Sequence, residues 1–269
     1  VYMAYTGSNG DIIIQNSSDG VHWNNATDLG SNFRPGTALR ESPNLAVFKN
    51  TLYLGFTNSA NVIAITPGTP TNSPGLGVNF SSSNLYTIPG QESGGAPELI
   101  EFSNSLYCFY QADNSSGTVL YVTSSNPTSS SSWGSLYAIN DKSNENITAS
   151  VLNDTLYVAF HATNSNELLI TSSTNGSDWS ANTVVNSGTY MSASMTTGSD
   201  GNLYIAFESD PGSNLEVATS SNGTSWTSAQ VGSVTAPTGA AAVAFNNGVL
   251  VATTASSSAS SSLNYSISN

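Results

Sequence analysis

Leu156-Tyr157-Val158-Ala159-Phe160, followed by Ser173-Thr174-Asn175-Gly176-Ser177-Asp178-Trp179, decides how the whole chain is read, because both stretches recur in the same order. The apolar landmark returns as Val1-Tyr2-Met3-Ala4-Tyr5, Leu52-Tyr53-Leu54-Gly55-Phe56, Leu106-Tyr107-Cys108-Phe109-Tyr110 and Leu203-Tyr204-Ile205-Ala206-Phe207, with a degraded copy at Val249-Leu250-Val251-Ala252-Thr253. From Tyr2 through Tyr53, Tyr107, Tyr157 and Tyr204 to Leu250 the steps are 51, 54, 50, 47 and 46 residues. The second landmark returns as Ser17-Ser18-Asp19-Gly20-Val21-His22-Trp23, as Ser124-Ser125-Asn126-Pro127 running on to Trp133, and as Ser220-Ser221-Asn222-Gly223-Thr224-Ser225-Trp226. All four tryptophans close a copy of it. Self-similarity at a fixed phase sets the architecture before any single residue is interpreted.

Steps of this length hold four short strands joined by tight turns, which is one propeller blade. The landmark is strand B. Strand A precedes it (Leu45–Phe48, Glu98–Phe102, Ala149–Leu152, Ala242–Phe245), across turns such as Lys49-Asn50, Asn153-Asp154, Asp200-Gly201 and Asn246-Asn247-Gly248. Strand C follows it (Asp11–Gln15, Val62–Ile65, Thr118–Val122, Leu168–Thr171, Leu215–Ala218), and the tryptophan opens strand D. Strand B is apolar on both faces with Gly or Ala at its fourth position in most copies, as close packing between neighbouring blades requires. Sustained helical periodicity is absent. The expectation is one all-β domain over residues 1–269, a six-bladed β-propeller of four-stranded repeats of about 46–54 residues, with repeats near 1–40, 41–92, 93–142, 143–190, 191–235 and 236–269. The phase leaves the first repeat without strand A and the last without strand D, so the propeller is expected to be incomplete at both ends. The missing strands would come from a longer polypeptide or from a neighbouring subunit, since an unpaired edge invites one.

The pattern Ser-x-Asp-Gly-x-x-Trp between strands C and D resembles the Asp-box of sialidase-like propellers. It is fullest at Ser17 to Trp23, has Asn for Asp at Asn126, Asn175 and Asn222, and is missing from the second repeat, which carries Pro67, Pro70 and Pro74 instead. The resemblance implies a structural turn on the face opposite the ligand site. Physically, Asp or Asn caps its own backbone turn, Gly takes the positive φ, and Trp packs the hairpin onto the blade. Sugar stacking by the tryptophans is the functional alternative. The resemblance also implies that sialidases clamp a carboxylate with three arginines; this chain has only Arg34 and Arg40, so that clamp cannot form.

Charged residues make up 8% of the chain, with four Lys and Arg and a net charge of −13. Nucleic acid is excluded as a partner, because phosphate binding has no electrostatic footing. No run approaches the ~18 apolar residues of a membrane span. Nine Asn-x-Ser/Thr sequons stand at Asn16, Asn25, Asn79, Asn114, Asn146, Asn153, Asn175, Asn222 and Asn264, several of them at hairpin tips. Low charge, abundant hydroxyl and amide side chains and these sequons point to an extracellular or cell-surface glycoprotein. Cys108 lies in an apolar phase of strand B and reads as a buried small hydrophobe. One Cys and two distant His residues, His22 and His161, build no zinc site, and no cofactor is expected.

The D-to-A and B-to-C connections share one propeller face, where the resemblance places ligands. Glu41 and Glu145 both stand 11 residues before their landmark, and Glu92 takes the same phase if its repeat has a three-residue insertion. His161 and Glu208 follow the last aromatic of their B strands. Glu41, Glu92, Glu145, His161 and Glu208 are therefore expected around the channel mouth, with Arg40 and Tyr190 nearby, as a ligand site; solvated rim carboxylates are the competing reading. Three functions fit. The first is a non-catalytic extracellular module for adhesion or assembly that recognises glycans. A non-sialidase glycoside hydrolase built on two of the glutamates is the second. The third is a structural subunit of a surface layer, filament or virion completed by strand exchange.

Overall fold

A computed structural model describes residues 1–36, 42–71, 75–113, 116–189, 193–209, 212–236, 239–254 and 263–268. Its contacts divide the chain into two compact units, Val1–Asp141 and Lys142–Asn269. In the first unit, β1 (Tyr2–Thr6), β2 (Ile12–Asn16) and β3 (Thr27–Asp28) form one sheet. A second holds β4 (Asn44–Phe48), β5 (Thr51–Thr57), β6 (Val62–Pro70), β7 (Val78–Phe80) and β8 (Tyr86–Glu92), with β7 and β8 both paired to β6. The third runs β9 (Glu98–Phe102), β10 (Ser105–Gln111), β11 (Thr118–Ser124) and β12 (Tyr137–Lys142).

The second unit repeats the plan. Its sheets are β13 (Thr148–Leu152), β14 (Thr155–His161), β15 (Leu168–Ser173) and β16 (Thr183–Asn186); β17 (Ser194–Thr197), β18 (Leu203–Ser209), β19 (Asn214–Ser220) and β20 (Thr227–Thr235); and β21 (Ala240–Phe245), β22 (Gly248–Thr254) and β23 (Leu263–Ser268). Every sheet is an antiparallel meander in chain order, apart from the extra hairpin strand β7. Among the described residues four sheets carry four or more strands, and the first and the last carry three. The only described helices are one-turn 3-10 segments, and none is long and apolar enough to cross a membrane.

Local chemistry explains the meander. Lys49-Asn50, Ser103-Asn104 and Asn153-Asp154 each take positive φ at both positions, the conformation whose twist suits a two-residue hairpin between strands A and B. Strand B is the most enclosed part of each complete sheet: Leu54, Phe56, Leu106, Cys108, Phe109, Leu156, Val158, Phe160, Ile205 and Phe207 are all buried. Burial and the nearby Glu98 carboxylate push the Cys108 thiol far up, so it acts as a packing group. The small fourth position has a direct cause at Gly55, where a Cβ would lie 2.8 Å from Leu99 Cδ1 of the next sheet.

Inner strands of successive sheets lie side by side within each unit, β4 by β9 and β13 by β17 by β21. They are too far apart in register to form a common ladder, and side chains fill the gap. Asn44 Oδ1 accepts the Leu99 N–H at 3.1 Å. Thr148 Oγ1 accepts the Met195 N–H at 2.8 Å, Ser194 Oγ that of Ala242 at 2.9 Å, and Thr196 Oγ1 that of Ala244 at 3.0 Å. In the reverse sense Thr197 Oγ1 donates to Val151 O at 2.8 Å. Each inner strand thus satisfies donors on the exposed edge of the next.

The C-to-D hairpins at Ser17, Ser173 and Ser220 share one hydrogen-bond pattern. The buried Ser hydroxyl accepts the N–H of Gly20, Gly176 or Gly223 at 2.8–2.9 Å. The Asp19, Asn175 or Asn222 Oδ1 accepts two further backbone N–H groups at 2.7–3.0 Å. The four tryptophan rings are half-buried rather than enclosed; Trp226 packs on the core and donates to Gly223 O at 3.3 Å. Gly223, at φ 72°, is also where the strand-B tyrosine of the preceding repeat lands: a Cβ there would sit 2.1 Å from Tyr157 Cε1, and Tyr157 Oη donates to Asn222 O at 3.2 Å. The recurring Leu-Tyr landmark is therefore a strand core followed by a clamp on the next hairpin.

Two predictions follow from these contacts. Thr148→Val keeps the shape and leaves the buried Met195 N–H without a partner, so urea unfolding should show a loss of about 1–3 kcal/mol. Asp19 differs from Asn175 and Asn222 in carrying a charge, and hydrogen bonds from the His22 N–H, the His22 ring and the Val21 N–H hold its carboxyl well below the usual carboxylate range. A depressed folded value means that its stabilising contribution is complete above the ordinary aspartate pKa of about 3.9 and is lost as pH falls below it. Asp19→Asn should therefore lose less melting temperature than the wild type between about pH 6 and pH 3; parallel curves for the two proteins would contradict this.

Candidate functional site

In two of the sheets the last residue of strand B, still paired in the ladder, sends its side chain to the D-to-A loop that follows. Thr57, at the end of β5, donates through Oγ1 to Gly95 O at 2.7 Å. His161, at the end of β14, meets Thr189 O through Nε2 at 3.0 Å. The loops that receive these side chains are shaped by a hydroxyl at their first position. Ser93 Oγ donates to Gly95 O at 2.8 Å and accepts the Gly95 N–H at 3.3 Å; Ser143 Oγ does the same with Glu145, at 2.8 and 3.2 Å. Isolated bridges Ser93 to Ala112, Ser143 to Ala162 and Thr189 to Ser209 put the three loops in one register.

That register places the expected site residues. Glu145, His161 and Glu208 all belong to the Lys142–Asn269 unit, and all are buried. His161 Nδ1 lies 2.6 Å from Asn144 Oδ1, next in the chain to Glu145. Its other nitrogen holds Thr189, which is bridged to Ser209 beside Glu208. One histidine thus ties the Glu145 loop to the loop that abuts Glu208. Thr189 O only accepts, so Nε2 donates to it. Glu208 Oε2 is fully enclosed and has no hydrogen-bond partner.

Glu92 stands elsewhere. It is exposed at the end of β8 in the Val1–Asp141 unit, one residue before Ser93, and so corresponds to Lys142 while Gly95 corresponds to Glu145. Arg40, Glu41 and Tyr190 lie outside the described residues. Sequence reasoning weighed titratable groups and passed over Ser143, Asn144 and Thr189; the recurrence of Ser93, Ser143 and Thr189 before strand A was the signal available. It also passed over Asp11, buried and paired with Arg34 at 2.8 Å. Among the described residues no group of three or more His, Cys, Asp and Glu is arranged to hold a metal ion. Of the sequons, Asn25, Asn79 and Asn153 are exposed, as is Asn222, whose Oδ1 serves its turn. Asn16 and Asn175 spend their side-chain N–H groups on Leu76 O and Asp178, and Asn146 is half-buried. Asn114 and the Asn264 side chain lie outside the described residues.

No protein-family model and no curated protein matches the chain. Solved structures do. The fucose-specific lectin from Aleuria aurantia aligns with a TM-score of 0.64 at 17% identity, over 99% of this chain and 90% of that one. Trypanosoma rangeli sialidase aligns with a TM-score of 0.60 at 13% identity, over 97% of this chain and 50% of that one. An exo-beta-1,3-galactanase from Phanerochaete chrysosporium gives 0.58 at 12%, over 84% and 59%. The chain thus spans about half the length of the sialidase. Likeness at such identities concerns fold, and the fold it shares with these proteins is the all-β propeller.

His161→Phe should remove the donor to Thr189 O and destabilise the protein by about 1–3 kcal/mol, whereas His161→Gln, which keeps a donor, should recover part of that loss. Chemical denaturation of the two variants side by side checks it.

Proposed function

We propose that the chain is a non-catalytic, extracellular, six-bladed propeller of the Asp-box type whose role is to bind glycans at a surface. The observation that carries this reading is the buried polar group in which His161 joins the Glu145 and Glu208 loops: it offers carboxylate, amide and hydroxyl groups with a single basic residue, Lys142, in the whole unit. Sugars are bound through many neutral donor and acceptor contacts, and this inventory supplies them. The near-complete mutual coverage with the fucose-specific lectin, 99% of this chain and 90% of that one, supports the same reading. In this proposal the uncharged, Ser/Thr/Asn-rich surface and the exposed sequons Asn25, Asn79 and Asn153 belong to a secreted protein.

A glycan array read together with a hydrolysis assay on neutral glycosides tests it. Binding without turnover, weakened in Glu145→Gln, is the expected result. Turnover abolished by Glu145→Gln would instead make the protein a glycoside hydrolase, a function that the likeness to the galactanase also accommodates. Neither binding nor turnover would leave a structural subunit.

A further inference from the structure

Asparagine followed by glycine is a step open to self-modification, since the glycine nitrogen can close a five-membered ring on the asparagine side-chain carbonyl with no Cβ in the way. The sequence holds four such steps: Asn9-Gly10, Asn175-Gly176, Asn222-Gly223 and Asn247-Gly248. Three of them are tied on both reacting sides. Gly176 and Gly223 are buried and give their N–H groups to Ser173 Oγ at 2.8 Å and Ser220 Oγ at 2.9 Å, while Asn175 and Asn222 Oδ1 each accept two backbone N–H groups. Gly10 gives its N–H to Gly7 O at 2.9 Å; the Asn9 side chain accepts the Asp11 N–H at 3.1 Å and donates to Asp28 at 2.8 Å. The fourth step is different. Asn246-Asn247 is the two-residue turn between β21 and β22, Asn247 is exposed, and among the described residues its side chain has no hydrogen-bond partner. Half-buried Gly248 belongs with Phe245 to the pair that closes this hairpin, and chain segments at such tips open far more readily than a core strand.

We propose that Asn247 is a site of spontaneous deamidation, at which the chain modifies itself with water as the only co-reactant. The Gly248 nitrogen, its proton taken by solvent hydroxide, bonds to Asn247 Cγ; the Cγ–Nδ2 bond breaks, and Nδ2 takes a proton from water and leaves as ammonia. Water then adds to the cyclic imide. Opening at Cγ gives aspartate, and opening at the main-chain carbonyl carbon gives iso-aspartate. Nothing is oxidised or reduced, and the hairpin tip gains a negative charge in both cases. Iso-aspartate also lengthens the main chain of the turn by a carbon atom, which shifts the pairing of Phe245 with Gly248 that a two-residue turn fixes. Asn175 and Asn222 stand within Asn-x-Ser/Thr sequons and Asn247 does not, so no glycan would shield it.

Peptide mapping by mass spectrometry tests this on protein prepared without N-glycans and held at mildly alkaline pH, with the same protein unfolded in urea as the comparison. In the folded protein the Asn247 peptide should convert to a mixture of aspartate and iso-aspartate about tenfold faster, or more, than the peptides of Asn9, Asn175 and Asn222. In urea the four rates should draw together. Ser173→Ala frees the Gly176 N–H and should raise conversion at Asn175 roughly threefold to tenfold while leaving Asn247 unchanged. Should that variant not fold, Ser220→Ala reads the same contrast at Asn222. Asn247→Gln, whose longer side chain closes the ring poorly, should remove the early acidic species on charge-separating chromatography. Conversion at Asn247 no faster than at the other three steps in the folded protein overturns the inference, and so does the same spread of rates in the unfolded chain.

Discussion

Hydroxyl and amide side chains on one inner strand satisfy the backbone N–H groups of the next, and the rest of the fold depends on that contact. A four-stranded meander leaves its first strand with an unpaired edge, and an unpaired edge in a protein interior is both costly and a template for mispairing. Thr148 on Met195, Ser194 and Thr196 on Ala242 and Ala244, and Asn44 on Leu99 remove the cost without joining the sheets into one ladder. Sheets held this way remain separate. Charged groups could not serve so well, because two carboxylates or ammonium groups at each joint would have to be desolvated together. The scarcity of charge and the abundance of Ser, Thr and Asn are therefore properties of the joints as much as of the surface.

The outer parts of the repeat use the same economy of local hydrogen bonds. Asp19, Asn175 and Asn222 hold equivalent hairpins with equivalent geometry, and two of the three do so without a titratable group. Tyr157 then fastens the next hairpin through Gly223 and Asn222, so the repeat of β17–β20 is gripped twice by its predecessor: at the inner strand and at the hairpin. Between these grips lies the doubly apolar strand B, whose side chains are among the most deeply buried of the molecule.

Function in such a scaffold is concentrated where the repeat departs from its own rule. Thr57 and His161 both donate to the loop that follows, although His161 adds a second partner in Asn144 and so couples two loops. At the corresponding place in β18, Glu208 Oε2 is enclosed and has no hydrogen-bond partner.

The repeat, the all-β class, the order of strands and the hairpin turns were legible in the sequence, because period, alternation and Asn/Asp/Gly turn chemistry are local properties that neighbours in the chain dictate. The role of Gly55 was legible for the same reason, and its partner Leu99 confirms it. The site was legible only in part. Position relative to the landmark led to His161 and Glu208 on strand B, whereas the bridges at Ser93 and Ser143 put Glu92 level with Lys142, since counting residues cannot see where a variable loop absorbs an insertion. Which polar groups meet, that Asn144 and Thr189 both hold His161, and that Glu208 is left without a donor were decided by tertiary structure alone. Those facts depend on the approach of loops from different repeats, and no sequence interval encodes a contact that exists only once the sheets have packed side by side.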